Sequence, residues 1–230
     1  MSLRVHGSIT GIWYTKNVMV SLSSFWPWRH SRDTEDTAQD VLLLLYMLSK
    51  SDSTGRNKLE AQLRIMKYTF LAEYQMSVKR AYKGLNFFFN IFKRGPSSTE
   101  LLNLLDLLVE KKLVSFDETN SAFSLTPGGK STIEEFISSV TDNKDFFTII
   151  DDVIKDYGSL PLDTLLDKVY AMNVTPMHST ETINIGESVK NSPKKRLLMR
   201  MEKSEAKKEL QVPEDWVNTV DILLNTKVYA

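Results

Sequence analysis

The chain has no cysteine, no clustered histidines and no long apolar segment, and each absence argues against a class of protein. Without cysteine in its 230 residues, it has no disulfide framework, thiolate metal site or cysteine nucleophile. Its three histidines, His6, His30 and His178, stand far apart and lack an adjacent carboxylate pattern. The apolar run at residues 41–48 (VLLLLYML) is far below the roughly 20 residues that cross a bilayer. Residues 1–30 also lack a secretory pattern, so we expect a cytoplasmic protein with no membrane association.

Sequence motifs of common enzymes are missing as well. The chain contains no HExxH, GxSxG, Walker or GxGxxG pattern. Two pairs of adjacent acids, Glu134-Glu135 and Asp151-Asp152, are typical of solvated helix faces rather than of metal sites. We therefore predict a non-enzymatic protein with no catalytic residue, no metal site and no cofactor.

Residues 85–130 contain the clearest structural pattern, and its first part predicts a strand. Aromatic and β-branched side chains favour a pleated, half-buried surface. Five such residues fall close together: Phe87, Phe88, Phe89, Ile91 and Phe92. Gly95-Pro96 would then end this strand.

A capped helix and a hairpin are expected next. Ser97 stands three residues before Glu100, which is the spacing of a capping box, and leucines at helical spacing continue as far as Val109. Two short apolar segments, 114–116 and 122–125, flank a polar turn and predict a hairpin. Strand, helix and hairpin follow one another as in the back half of a winged-helix domain, with the hairpin as the wing and the strand pairing with it.

The same stretch carries a family resemblance. The Gly95-Pro96 turn, the acidic-capped leucine-rich helix, the Lys-Lys-Leu-Val exit at 111–114 and the Leu-Thr-Pro-Gly-Gly close at 125–129 resemble small prokaryotic winged-helix proteins. The nearest in pattern are the Panacea antitoxin-type and YwgA-like domains, and the resemblance spans roughly residues 57–170. It implies a winged-helix fold and a regulatory role; the Panacea type would imply neutralisation of a toxin-like partner.

We predict a mainly α fold with a small β hairpin, an α+β protein that joins a winged-helix domain to a C-terminal helical tail. The predicted organisation has four parts: an N-terminal arm (1–35), the winged-helix domain (36–172), a linker with a basic helical segment (173–212) and a docking helix (213–230).

Charge is segregated along the chain although its net charge is zero. Residues 50–94 hold ten basic and three acidic side chains, whereas residues 95–172 hold six and fourteen. A helix expected from about residue 57 would bury a stripe that includes Leu59 and Leu63 and leave its basic residues near the other side. The candidate nucleic-acid contacts are the basic residues of this region and of the linker: Arg56, Lys58, Arg64, Lys67, Lys79, Arg80, Lys83, Lys93, Arg94, Lys194, Lys195 and Arg196.

The helix that would enter the major groove argues against direct base readout. It offers Asn103 alone, beside the acidic residues Glu100, Asp106 and Glu110. We therefore expect double-stranded DNA to be bound through the wing and the basic helix face, with a homodimer as one arrangement.

The alternative is a protein–protein interaction module, such as an antitoxin-like protein. Trp216, Val220 and Leu223 share one side of the expected tail helix and are the candidate partner contacts. A short isolated helix is marginal in water, so this one either docks on its own domain or binds a partner.

Overall fold

The computed structural model describes residues 34–51, 55–137, 143–177, 179–191, 197–199 and 202–225. All of them belong to one unit of the chain, Arg32–Ala230. The predicted arm at 1–35 therefore lies outside the described residues, except for Thr34 and Glu35, which begin the first helix.

Helices dominate the described chain, and the strands are short. The helices are α1 (Thr34–Lys50), α2 (Lys58–Glu73), α3 (Thr99–Glu110), α4 (Pro127–Ile137), α5 (Lys144–Tyr157), α6 (Leu162–Tyr170), α7 (Ile185–Asn191) and α8 (Glu214–Asn225), with a π-helical turn at Tyr74–Val78 and a 3-10 turn at Lys203–Glu205. The strands are β1 (Tyr82–Lys83), β2 (Phe89–Phe92), β3 (Gly95–Ser97), β4 (Val114–Asp117), β5 (Ala122–Leu125), β6 (Asn173–Val174), β7 (Ile183–Asn184), β8 (Leu197–Met199) and β9 (Lys208–Glu209). The predicted mainly α fold with a small hairpin is confirmed.

Helix α1 forms the centre of the core. Every residue from Thr37 to Leu48 is buried, which explains why its apolar run is continuous rather than striped. Helices α4, α5 and α8 and strand β5 all pack against it. Helix α1, the first described element, and α8, the last, therefore belong to the same core.

The predicted helix and wing are present, but the cap differs from the prediction. Ser98, not Ser97, is the N-cap residue, and its hydroxyl accepts a hydrogen bond from the Leu101 amide at 3.3 Å. The Glu100 carboxylate instead accepts from the Phe88 amide at 3.2 Å, so it fixes the preceding segment against the helix. After α3, the antiparallel pair β4–β5 forms the wing, with Val114 opposite Leu125.

The predicted strand is shorter than expected, and it does not pair with the wing. Strand β2 begins at Phe89 and forms a tight antiparallel hairpin with β3, in which Phe92 faces Gly95. On its other edge β2 pairs with β8. Because both edges of β2 are occupied in this three-stranded sheet, the wing stands as a separate two-stranded hairpin.

The predicted linker at 173–212 is wrong for its described residues. They include the β6–β7 pair, helix α7 and strands β8 and β9. Strand β8 pairs with β2, and β9 runs parallel to β1 with Lys208 opposite Tyr82. In the described residues short strands take the place of the expected basic helix, because pairing with the edges of β1 and β2, which are distant in sequence, overrides local helix propensity.

Candidate functional site

The structure disperses the basic residues that we grouped as a nucleic-acid face. Two of them, Lys67 and Lys83, are buried, with 0% and 3% of their surface exposed. Arg64 donates to the Leu160 carbonyl at 2.7 Å and is thus held inside the fold. The prediction that Lys67 and Lys83 contact nucleic acid is therefore wrong, because both side chains are buried.

The other candidates in residues 56–94 are exposed, but two of them pair with acids. Arg56 forms an ion pair with Glu60, and Lys58 forms one with Asp106. Of the candidates, four are exposed and form no ion pair within the described part of the chain: Lys79, Arg80, Lys93 and Arg94. Lys194, Lys195 and Arg196 lie outside the described residues.

Lys83 is the centre of a buried polar network. Its ammonium pairs with the Asp36 carboxylate at 2.5 Å and also donates to the Asn86 side-chain oxygen. The Asn86 amide nitrogen in turn donates to Gln39 at 3.0 Å, and Gln39 donates to the Leu210 carbonyl at 2.8 Å. This network joins α1, the β1–β2 connection and the C-terminal segment, so Lys83 is a structural residue.

A cleft of about 320 Å³ opens between α2, α3 and the β2–β3 hairpin. Its walls are mainly apolar, and the principal side chains are Leu59, Leu63, Met66, Phe92 and Leu102. Lys67 forms part of its buried floor, and Lys93 and Arg94 stand on its hairpin side. A concave apolar surface with a few convergent polar groups is the usual form of a binding site.

Two large apolar side chains at this cleft are exposed to solvent. Leu59 has 52% of its surface exposed and Phe92 has 51%. Leu59 begins the helix stripe that we expected to be buried, and the prediction is wrong there because the hairpin and α3 leave the first turn of α2 uncovered. One turn later Leu63 is half-buried, and the stripe is buried two turns later, at Met66 and Phe70.

Lys67 has little compensation for its charge. Its ammonium donates to the Pro96 carbonyl at 2.7 Å, and no other described residue accepts a hydrogen bond from it or forms an ion pair with it. Burial, reinforced by the positive charge of Arg94, lowers the pKa of Lys67 to about 7. Near neutral pH this group therefore exists partly as the amine and partly as the ammonium.

The β2–β3 hairpin packs closely against Lys67 at Gly95. Gly95 has a φ of +81°, a region that favours glycine, and a Cβ at this position would lie 2.9 Å from the Tyr170 ring and 3.6 Å from the Lys67 nitrogen. The hairpin thus packs tightly over Lys67 and brings the Pro96 carbonyl to it. Burial also raises the pKa of Tyr170.

Neither α3 nor α8 presents the surface that a binding element would need. A DNA-reading helix would be basic, and a partner-binding helix would expose its apolar face. The exposed positions of α3 are Thr99, Asp106 and Glu110, so this surface is acidic, as the sequence predicts. In α8, Trp216 and Val220 are buried, whereas Leu223 is half-buried.

The burial of Trp216 decides between the two alternatives for the tail helix. Its indole nitrogen donates to the Ala38 carbonyl of α1 at 2.8 Å, and its ring lies 4.7 Å from that of Phe136. Helix α8 therefore docks on its own domain, and the prediction that Trp216 and Val220 contact a partner is wrong because both are buried in the core.

Lys67 is the site residue whose role sequence reasoning missed, although a signal was present. It lies four positions after Leu63 and three before Phe70, which places it on the apolar face of α2. We counted it by its charge among surface residues. A single lysine within an apolar helical stripe is the pattern that marks a buried cation.

The described residues hold no group of three or more metal-ligating side chains. Among these same residues there is also no helix of the length and apolarity that a bilayer crossing requires. Searches for similarity returned no matching family model, no matching curated protein and no matching solved structure.

Proposed function

We propose that this chain is a non-enzymatic regulatory protein that recognises a protein partner through the cleft between α2, α3 and the β2–β3 hairpin. The observation that carries the proposal is the exposure of Leu59 and Phe92, each more than half accessible, at an apolar depression continuous with the core. Clustered apolar side chains at a concave surface favour association because contact removes them from water.

The character of the site fits a partner segment with a few anchoring side chains. Buried apolar anchors that fill a depression contribute most of the affinity in typical interfaces, and a polar rim surrounds them. Here Lys93 and Arg94 supply such a rim on the hairpin side. The resemblance to Panacea antitoxin-type domains favours a protein partner too.

Site-specific photo-crosslinking tests this proposal. A benzophenone side chain introduced at Leu59, or separately at Phe92, should cross-link the same protein in cells that express the natural gene. The control is Ile222 of α8, which is 65% exposed but lies outside the cleft. A shared product at both cleft positions that is absent at Ile222 supports the proposal. Absence of any product, or a product formed equally at Ile222, contradicts it.

A second candidate function is sequence-independent binding of double-stranded DNA. The observation that favours it is that four cations of the basic region, residues 50–94, are exposed and form no described ion pair: Lys79, Arg80, Lys93 and Arg94. Each cation that contacts a phosphate releases condensed counterions, so binding should weaken steeply with salt. The acidic exposed positions of α3 would repel phosphates, so we propose that these four cations and the wing, rather than α3, contact the DNA.

Fluorescence anisotropy with labelled random duplex DNA tests this second function. Reversal of the four cations to glutamate should abolish binding and its salt dependence, whereas reversal of Lys155 and Lys168, two exposed lysines on α5 and α6, should change it little. No binding at low salt by the unaltered protein would remove DNA from consideration.

A further inference from the structure

Lys67 is a buried cation under an apolar cleft, and the described structure supplies it with only one acceptor. An ammonium group has three N–H donors. One of them is used on the Pro96 carbonyl, and the fold places no described carboxylate within ion-pair distance. Lys83 shows that this protein can surround a buried lysine with a carboxylate and an amide. At Lys67, by contrast, two of the three ammonium donors have no described acceptor and could serve a ligand.

The charged groups on the hairpin side of Lys67 are positive, and the acidic groups nearby are Glu60 of α2, which interacts with Arg56 and Arg94, and Asp167 of α6, which acts on Tyr170. The nearest charged group on the hairpin is Arg94, which lowers the pKa of Lys67 further, and Lys93 adjoins it. Helix α6 contributes the Tyr170 phenol, whose pKa is raised, so it remains neutral near pH 7. On α2 the Glu60 carboxylate is engaged by Arg56. The cleft floor and its hairpin side are thus positive, whereas its walls are apolar.

We propose that the cleft selects an acidic partner segment: apolar side chains of the partner cover Leu59 and Phe92, and an aspartate or glutamate carboxylate pairs with the exposed Arg94. Because Lys67 has 0% of its surface exposed, the hairpin must shift before the same carboxylate can contact its ammonium. This inference rests on the proposed docking function and specifies its chemistry. The apolar walls supply affinity that depends little on the partner's charge. The buried cation discriminates between acidic segments and neutral or basic ones. Removing a charged group's partner in a desolvated site is costly, so a neutral or basic segment would be rejected.

With the pKa of Lys67 lowered to about 7, binding should be coupled to proton uptake. A carboxylate prefers the ammonium form, which dominates below pH 7 in the free protein. As pH rises above 7, the ligand must first restore the proton, so its apparent affinity falls with the ammonium fraction. Between about pH 6 and about pH 8.5 this fraction decreases about 30-fold, and so should the affinity.

Two fluorescent probes of almost the same shape test the recognition chemistry on the full chain before the partner is known. Anilinonaphthalene sulfonate has an apolar body and one negative charge, and phenylnaphthylamine has a similar body without charge. The sulfonate stands in for the partner's carboxylate. Both probes should bind the unaltered protein, but only the sulfonate should bind more weakly as pH rises.

Three variants separate the parts of the site. Lys67→Met keeps the length of the side chain and removes its charge, so it should weaken the sulfonate at least about tenfold and leave the neutral probe unchanged. Leu59→Asn should weaken both probes, because it alters the shared apolar wall. Ile222→Asn, on the exposed side of α8, should alter neither.

The outcomes distinguish this inference from the docking function beneath it. Equal effects of Lys67→Met on both probes overturn the selection of acidic segments while the cleft itself stands. A sulfonate affinity that Lys67→Met weakens but that does not change with pH supports the selection and shows that Lys67 keeps its proton over this range. Failure of both probes to bind the unaltered protein overturns the cleft as a docking site. The segment cross-linked at Leu59 provides an independent check, since it must contain an acidic residue within one helical turn of an apolar one. A cross-link to a second copy of this chain would identify a dimer interface and contradict the proposal.

Discussion

Lys67 and Lys83 are both buried lysines of the basic region, residues 50–94, yet they differ in the partners that surround their ammonium groups. Lys83 has a carboxylate, Asp36, and an amide oxygen, Asn86, within reach. Lys67 has one backbone carbonyl and a neighbouring cation. Two residues of the same type and the same burial therefore have opposite effects on the folded state.

This difference teaches that burial alone does not identify a binding residue; the completeness of its partners does. A buried charge with its counter-charge and hydrogen bonds in place holds elements together, and removal of one member leaves the others unsatisfied. A buried charge without them reduces stability in the free protein, and it can regain that free energy when a ligand supplies the partner. Lys83 belongs to the first kind and Lys67 to the second.

The largest effect should follow from Lys83→Met. The variant leaves the Asp36 carboxylate and the Asn86 oxygen without their cation, so we expect a loss of about 3 to 5 kcal/mol in the free energy of unfolding. Urea denaturation at neutral pH measures it. Lys79→Met, at an exposed lysine, is the control and should change stability little. A loss at Lys83 no larger than that of the control would contradict the comparison.

The next largest effect should be the dependence of the free energy of unfolding on pH that Lys67 causes. In the unfolded chain a lysine releases its proton near pH 10.4, whereas Lys67 in the folded chain does so near pH 7. Between these values the unfolded state binds more protons, so the stability of the folded state rises with pH; below about pH 7 the cost of burying the ammonium is present in full. We expect a rise of about 2 to 4 kcal/mol across this window.

The Lys67→Met variant provides the reference for that measurement. It lacks the titrating group, so the difference in unfolding free energy between the two proteins isolates the contribution of Lys67. At pH 6 the variant should be the more stable protein, because it no longer buries an unpaired charge. Parallel stability curves for both proteins from pH 6 to 10 would show that Lys67 has its ordinary pKa.

A smaller effect is expected from Gly95→Ala, which disturbs the hairpin above Lys67. The positive φ and the 2.9 Å approach of the Tyr170 ring both oppose a methyl group, and the cost should be about 1 to 3 kcal/mol. Gly128→Ala is the matched control, since a Cβ at Gly128 would lie 3.6 Å from its nearest neighbour, Thr126 Oγ1, which is an ordinary contact distance. Thermal unfolding of the two variants measures the difference, and equal midpoints would refute the packing argument.

The sequence could predict those elements that carry a long repeating pattern. Helix α1 shows a continuous apolar run, and α3 shows leucines at helical spacing before the alternating residues of the wing. Strands β8 and β9 have three and two residues, too few for periodicity, and they form because β1 and β2 offer open edges distant in sequence. Their existence depends on tertiary contacts, so local sequence predicts a linker instead.

The site could be predicted only in part, for the same reason. The positions of Arg94 and Phe92 near a tight turn follow from Gly95-Pro96, but the exposure of Leu59 depends on how far the hairpin and α3 extend over α2. Charge also misled the assignment of Lys67 and Lys83, since a lysine's sequence context does not show whether an acid from another element reaches it. Trp216 was misassigned because its docking surface, α1, lies far away in the chain.

The smallest expected effect concerns Arg94, and it tests whether the cation at the cleft floor is controlled by its surroundings. Desolvation is the main cause of the lowered pKa of Lys67, and the charge of Arg94 is the second. Arg94→Gln removes only the second cause, so the pKa of Lys67 should rise modestly and stay below that of an exposed lysine. Titration of the Lys67 side-chain carbon by NMR follows this directly. Lys93→Gln, at the adjacent exposed position, should move it less, because Lys93 does not contribute to the lowered pKa. If the two substitutions acted equally, the effect would come from general positive charge at the hairpin, and Arg94 would have no specific place in holding the partner's carboxylate.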